Sequence, residues 1–89
     1  MRLDKYLKVS RLIKRRTVAK EVCEGGRVTI NGKIAKASSE VNPGDQLVIT
    51  FGQRVLKVKV LATPEAVKAQ DAKSLYEVLG EEFRNFEDL

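Results

Sequence analysis

Apolar residues in the first part of the chain recur with the spacing of an α-helix. Leu3, Tyr6 and Leu7 stand at positions i, i+3 and i+4, which places them on one face of a helix predicted over residues 1–10. A second helix is predicted over residues 15–24. Its expected buried stripe consists of Val18, Ala19, Val22 and Cys23.

The pattern changes to the alternation of β-strands after Gly25 and Gly26, which are expected to end the second helix. Strands are predicted over residues 27–30 and 33–35, because Asn31-Gly32 between them is typical of a type I′ hairpin turn. Two more alternating segments follow the turn signal Pro43-Gly44. They predict a third and a fourth strand over residues 46–51 and 54–61.

Beyond residue 61 the pattern indicates another helix. Thr63 and Pro64 form a typical helix start, and the helix is expected to end near Leu79, before Gly80. Residues 81–89 are mostly acidic, and we expect them to be partly disordered. The predicted fold is therefore α+β, with a domain over residues 1–61 and a C-terminal helix with an acidic tail over residues 62–89.

Charge is divided unevenly along the chain. Residues 1–60 carry 14 Lys or Arg and 5 Asp or Glu, for a net charge of +9, whereas residues 61–89 carry 3 and 7, for −4. Such asymmetry indicates a surface that binds a polyanion and an acidic appendage.

The first twenty residues hold eight cations and one acid, Asp4. Arg15 and Arg16 fall at the start of a helix, where cations oppose the helix dipole but suit a bound phosphate. Asp4 is equally compatible with stabilising the first helix and with facing RNA. The candidate RNA-binding residues are Arg2, Asp4, Lys5, Lys8, Arg11, Lys14, Arg15, Arg16, Lys20, Asn31 and Lys33.

The composition argues against catalysis and against a cofactor. The chain has no histidine, and its single cysteine, Cys23, excludes both an internal disulfide and a Cys/His nucleophile. No apolar stretch is long enough to span a membrane, and no secretory signal is visible. We expect a monomeric, cytoplasmic binding protein without metal or membrane partners.

Folded RNA is the favoured ligand. The chain has two Tyr and three Phe, too few for a platform that stacks single-stranded bases. A helix-turn-helix protein that reads DNA is the alternative, but the second helix offers Arg16, Lys20, Glu21 and Glu24, which suit phosphates better than base edges.

Three ordered blocks resemble the alpha-L RNA-binding motif shared by ribosomal protein S-four, tyrosyl-tRNA synthetases and pseudouridine synthases. They read RLDKYL, SRLIKRRTVAKEVCEGGRVTING and VNPGDQL, and the resemblance covers roughly residues 1–60. It implies two helices packed on a small, strongly bent antiparallel sheet of about four strands, with RNA along the helices. The resemblance singles out Arg2, Asp4 and Arg16 as RNA-binding positions.

Within that group the chain most closely resembles the small ribosome-associated quality-control factors of the RqcP family. The resemblance implies binding to a large ribosomal subunit that carries an obstructed peptidyl-tRNA, with contacts to ribosomal RNA and to the tRNA. It also implies support of RqcH, which adds C-terminal alanine tails to stalled nascent chains. The heat-shock-fifteen-type recycling factors are the alternative, although they have a longer basic C-terminal extension.

Overall fold

Two short α-helices, one 3₁₀ helix and a five-stranded antiparallel sheet make up the fold of residues 1–83. The computed structural model describes residues 1–83. The helices are α1 (Leu3–Val9), α2 (Arg16–Glu24) and a 3₁₀ helix, Ala69–Leu75. The strands are β1 (Val28–Ile30), β2 (Lys33–Ile34), β3 (Gln46–Phe51), β4 (Arg54–Val60) and β5 (Tyr76–Phe83). Their order in the sheet is β2-β1-β3-β4-β5.

Helix α1 buries the face that its sequence predicts. Leu3, Tyr6 and Leu7 have no exposed surface. The start of the helix is tied to the loop before β3, because the Leu3 N–H donates to the Ser39 carbonyl at 2.8 Å. This bond and the backbone bridge between Arg2 and Glu40 tie the start of α1 to the segment before β3.

Helix α2 presents a narrower buried face than predicted. Ala19, Val22 and Cys23 are buried, but Val18 is 39% exposed, so its assignment to the core was wrong. The three buried residues at i, i+3 and i+4 already fill the strip that faces α1, and Val18 lies beside that strip. The helix ends as expected, with Gly26 in the left-handed conformation at φ 72°.

The first hairpin confirms the turn that Asn31-Gly32 predicted. Both residues have positive φ, 50° and 86°, as a type I′ turn requires. Strand β1 then pairs with β3, which places the hairpin beside the long β3–β4 ladder.

The hydrophobic core lies between the two helices and one face of the sheet. Leu47 pairs with Val58 and Ile49 with Leu56, and all four side chains are buried against the helices. The α+β fold with helices packed on an antiparallel sheet is confirmed. None of the helices in residues 1–83 is long and apolar enough to cross a membrane.

The C-terminal segment differs from its prediction. No α-helix starts at Thr63; a 3₁₀ helix covers Ala69–Leu75, and residues 76–83 form a fifth strand beside β4. The apolar residues Leu75, Val78 and Leu79 fit the helix period, but the open edge of β4 offers a complete ladder of backbone partners, and this long-range pairing prevails. Of the tail expected to be disordered, residues 81–83 lie in β5, and residues 84–89 lie outside the described part of the chain.

Candidate nucleic-acid interface

A buried carboxylate joins two arginines from the starts of the two helices. Arg2 donates to both carboxylate oxygens of Asp4, from Nε at 3.1 Å and from Nη2 at 3.2 Å. Arg16 Nε lies 3.6 Å from Asp4 Oδ2. The Asp4 side chain is 4% exposed, whereas those of Arg2 and Arg16 are each 51% exposed. Asp4 therefore orients two guanidinium groups that remain accessible to a ligand.

The electrostatics of this arrangement keep Asp4 ionised. Burial by itself would raise the pKa of the carboxyl group, but the hydrogen bonds from Arg2 and from the Lys5 backbone N–H, with the charge of Arg16, oppose that effect. The net result is a pKa below the usual value of 3.8. Asp4 thus carries a full negative charge at neutral pH and holds its two partners by charge-assisted hydrogen bonding and attraction.

The arginine pair borders an open pocket of about 330 Å³. Its lining consists of Arg2, Asp4, Arg16, Thr17 and Lys20. Three cations face one acid that is already engaged by two of them, so the pocket favours an anion. The guanidinium groups suit phosphate oxygens, because their planar N–H groups can donate two parallel hydrogen bonds.

Thr17 is a lining residue that the sequence analysis missed. It lies three positions before Lys20 on the exposed side of α2, and a helical spacing test around Arg16 and Lys20 would have included it. Its hydroxyl adds an uncharged donor to the pocket.

Within the described part of the chain, the backbone N–H groups that begin α2 have no hydrogen-bond acceptor. Arg15 is the N-cap residue and makes no side-chain capping bond, and the first turn contains no acid. An anion bound there would meet these N–H groups together with the Arg16 guanidinium. Arg15, Lys14 and Lys20 are exposed and have no ion-pair partner within residues 1–83.

Two further cations, one in the last turn of α1 and one just after that helix, line a different pocket. Lys8 and Arg11 line a volume of about 160 Å³ together with Val9, Glu65, Ala66 and Val67. Lys5, also predicted to bind RNA, forms an ion pair with Glu65, and its hydrogen bond lowers the pKa of that carboxyl group. The structure thus groups Arg2, Asp4, Arg16 and Lys20 in one place and Lys8 and Arg11 in another.

The hairpin tip contributes no residue to the lining of either pocket. The Asn31 side chain donates to Asp45 Oδ1 at 3.1 Å and accepts from the Gln46 N–H at 2.9 Å. This gives Asn31 a structural role that the sequence analysis did not anticipate, since it fastens the turn to the start of β3. Lys33 is exposed beside it.

Comparison with known proteins assigns the chain to a class. Residues 1–47 match the S4 domain family. The trimeric structure of Vibrio cholerae heat shock protein 15 superimposes with a TM-score of 0.80 at 33% identity, covering 88% of this chain and 80% of that one. The fold is therefore that of an S4 RNA-binding domain in its heat-shock-fifteen-like form.

Several sequences that are more similar to this chain than the Vibrio cholerae protein share one name, "RQC P-site tRNA stabilizing factor". The protein of that name from Halalkalibacterium halodurans is 60% identical over 82 residues, which cover 92% of this chain and 93% of the relative. The one from Bacillus subtilis is 56% identical, covering 92% and 95%. A heat shock protein 15 homolog from Haemophilus influenzae is 35% identical, but the match covers only 60% of its length. The chain belongs to the family of RQC P-site tRNA stabilizing factors.

Proposed function

We propose that this protein acts in ribosome-associated quality control by binding the large ribosomal subunit that carries an obstructed peptidyl-tRNA. It contacts ribosomal RNA and the tRNA, and it supports RqcH while that protein adds alanine to the stalled nascent chain. Two findings support the proposal: the family, whose members are named for stabilising a P-site tRNA, and the pocket on the helices that three cations line.

The observation that carries the proposal is the pairing of Asp4 with Arg2 and Arg16. A protein that needed Asp4 only to stabilise α1 would gain little from two half-exposed arginines at its carboxylate. Two guanidinium groups fixed by one acid form a rigid phosphate clamp, because the arginines lose little further freedom on binding. Asp4 acts here as a positioning residue rather than as a contact to RNA.

The other cations extend this surface in two directions. Lys14, Arg15 and Lys20 surround the clamp and bind neighbouring phosphates of the same RNA strand. Lys8 and Arg11, with Lys5 beside them, form a second basic patch at the C-terminal end of α1 that takes a separate RNA segment. Asn31 and Lys33 at the hairpin tip provide a further contact. Two patches on one small rigid domain suit a factor that holds a tRNA against ribosomal RNA.

The protein recognises RNA by its shape and by its backbone charge. It works by binding rather than by catalysis. Double-stranded RNA is read mainly through its phosphates and 2′-hydroxyl groups, which matches a surface rich in Arg and Lys. We propose that the protein is located in the cytoplasm, because ribosomes translate there. We propose that the protein acts as a monomer, although the Vibrio cholerae neighbour is described as trimeric.

Co-sedimentation with large ribosomal subunits tests the proposal. Arg16→Glu should abolish binding to subunits that carry peptidyl-tRNA and leave the circular dichroism spectrum unchanged. Lys73→Glu, which reverses an exposed charge on the 3₁₀ helix, is the matched control and should bind normally. Unchanged co-sedimentation of Arg16→Glu would overturn the assignment of the clamp.

A reconstituted tailing reaction with RqcH separates the two related roles. A quality-control factor should increase the number of alanines added to the stalled chain, and Arg16→Glu should reduce it to the level without the factor. Binding to subunits with no effect on tailing would favour a recycling role like that of the heat-shock-fifteen-type factors. Equal binding to duplex DNA would favour the helix-turn-helix alternative.

A further inference from the structure

Strand β5 forms a long open edge of the sheet. It contains eight residues and pairs with β4 on one side, and within residues 1–83 no strand pairs with its other side. Val78, Leu79 and Phe83 are 53%, 46% and 73% exposed. Proteins usually shorten or cover such edges, because the free N–H and C=O groups recruit further strands. An eight-residue edge with exposed apolar side chains is therefore a candidate docking surface.

The charge of this edge is opposite to that of the RNA-binding surface. Glu77, Glu81 and Glu82 lie in β5, which contains no cation. Glu81 accepts from Arg54 at 3.0 Å, whereas Glu77 and Glu82 have no ion-pair partner within the described residues. Phosphates would be repelled here, so RNA does not fit. A polypeptide segment that carries Lys or Arg matches the charge of this edge.

A small pocket adjoins the same strand. The ladder between β4 and β5 is irregular at Lys57 and Val58, and a volume of about 110 Å³ opens there. A Cβ atom added at Gly80 would meet no atom within 4 Å, so the missing side chain leaves room. The remaining lining is Val55, Lys57, Glu81 and Glu82. Lys57 contributes one cation to this lining and Glu81 is engaged by Arg54, so Glu82 is the acid left for a cation from an added strand, whose aliphatic stem would pack over Val55 and Gly80.

We propose that β5 docks an extended basic segment of a protein partner, which adds as a sixth strand of the sheet. The backbone ladder supplies affinity, and alternate side chains supply specificity at the pocket and at the acids. A second copy of this chain is disfavoured as the occupant, because two β5 edges would bring two acidic strands together. The proposal is independent of RNA binding, since it uses no residue of the helix surface.

A peptide titration followed by nuclear magnetic resonance tests the proposal. The probe is an eight-residue peptide of alternating lysine and valine, added to the ¹⁵N-labelled full chain. We expect shift changes concentrated in residues 76–83 and slower hydrogen exchange at alternate amides of that strand. A peptide of alternating lysine and glycine has the same charge but poor strand propensity, and it should bind more weakly.

Two variants test the pocket and the charge separately. Gly80→Ile fills the pocket with a good strand former, and its φ lies outside the left-handed region, so folding should be preserved. Glu82→Lys reverses the charge at the rim. Each should weaken binding of the lysine–valine peptide by roughly two- to fivefold, the effect of one exposed ion pair or one lost side-chain contact. Glu24→Lys is the matched control, because Glu24 is exposed in the last turn of α2, and this variant should bind the peptide as the native chain does.

Several results would overturn the proposal. Shift changes spread over α1 and α2, or equal binding of the lysine–glycine peptide, would show nonspecific attraction. Unchanged affinity of both Gly80→Ile and Glu82→Lys would remove the pocket and the acids from the site. A dimer in solution that Gly80→Ile dissociates would show that a second copy of the chain occupies the edge instead.

Discussion

The Tyr6 hydroxyl donates a buried hydrogen bond of 2.7 Å to the backbone carbonyl of Leu75. The two residues are 69 positions apart, so this single bond connects α1 to the end of the 3₁₀ helix, directly before β5. The same carbonyl accepts from the Leu61 N–H at 2.8 Å. The first helix, the end of β4 and the start of β5 therefore meet at one backbone oxygen.

Tyr6→Phe should lower the free energy of unfolding by about 1 kcal/mol, the usual net value of one hydrogen bond. The loss stays small because the Leu75 carbonyl keeps its bond from Leu61. Urea unfolding measures it. Tyr76→Phe is the matched control, since the Tyr76 hydroxyl makes no hydrogen bond within residues 1–83, and it should unfold like the native chain. Equal stability of the two variants would contradict the prediction.

Asp4→Asn should lower the free energy of unfolding by about 1.5–3 kcal/mol at pH 7, because charged hydrogen bonds to Arg2 and Lys5 are weakened. The folded pKa of Asp4 lies below its usual 3.8, so the native carboxylate stabilises the fold above that pH and loses this effect as pH falls through the folded pKa. The difference between Asp4→Asn and the native chain should therefore shrink in strong acid.

Urea unfolding at pH 7 and at pH 2 to 3 checks this dependence. Asp71→Asn, which changes an exposed carboxyl group on the 3₁₀ helix, is the matched control and should unfold like the native chain at pH 7. A stability difference for Asp4→Asn that stays constant down to the lowest pH would show that the two arginines do not depend on the charge of Asp4.

RNA binding should weaken steeply with salt. If about five to seven cations contact phosphates, the slope of log affinity against log salt should be about −3.5 to −6. Arg16→Ala should make the slope less negative by roughly 0.7–0.9, the contribution of one phosphate contact. Filter binding to a ribosomal RNA fragment at several salt concentrations measures it. Lys73→Ala should leave the slope unchanged, and a native slope near zero would exclude a phosphate-based interface.

Arg11 has a left-handed backbone, with φ 58°. This conformation costs a residue with a side chain about 1 kcal/mol relative to glycine. Arg11→Gly should therefore raise the free energy of unfolding by about 0.5–1 kcal/mol while it weakens RNA binding. Arg11→Ala removes the same charge but keeps the unfavourable backbone, so it should weaken binding without stabilising the fold. Thermal unfolding and RNA titration of both variants separate the two effects, and equal melting temperatures would refute the backbone argument.

The local sequence determined much of this fold. Helices α1 and α2, the Asn31-Gly32 turn and strands β1 to β4 all follow from apolar spacing and turn residues, because each is decided by neighbours in the chain. The family resemblance was likewise visible in short ordered blocks. The concentration of cations in the first twenty residues required no structure to recognise.

Tertiary structure alone decided what several of those residues do. Asp4 meets Arg16, Lys5 meets Glu65, and Asn31 meets Asp45, all through contacts between residues distant in sequence. Residues 76–83 became a strand for the same reason: the open edge of β4 supplied backbone partners that outweighed a helical pattern. Periodicity reports only local preference, whereas an ion pair or a sheet ladder depends on which distant segments the folded core brings together.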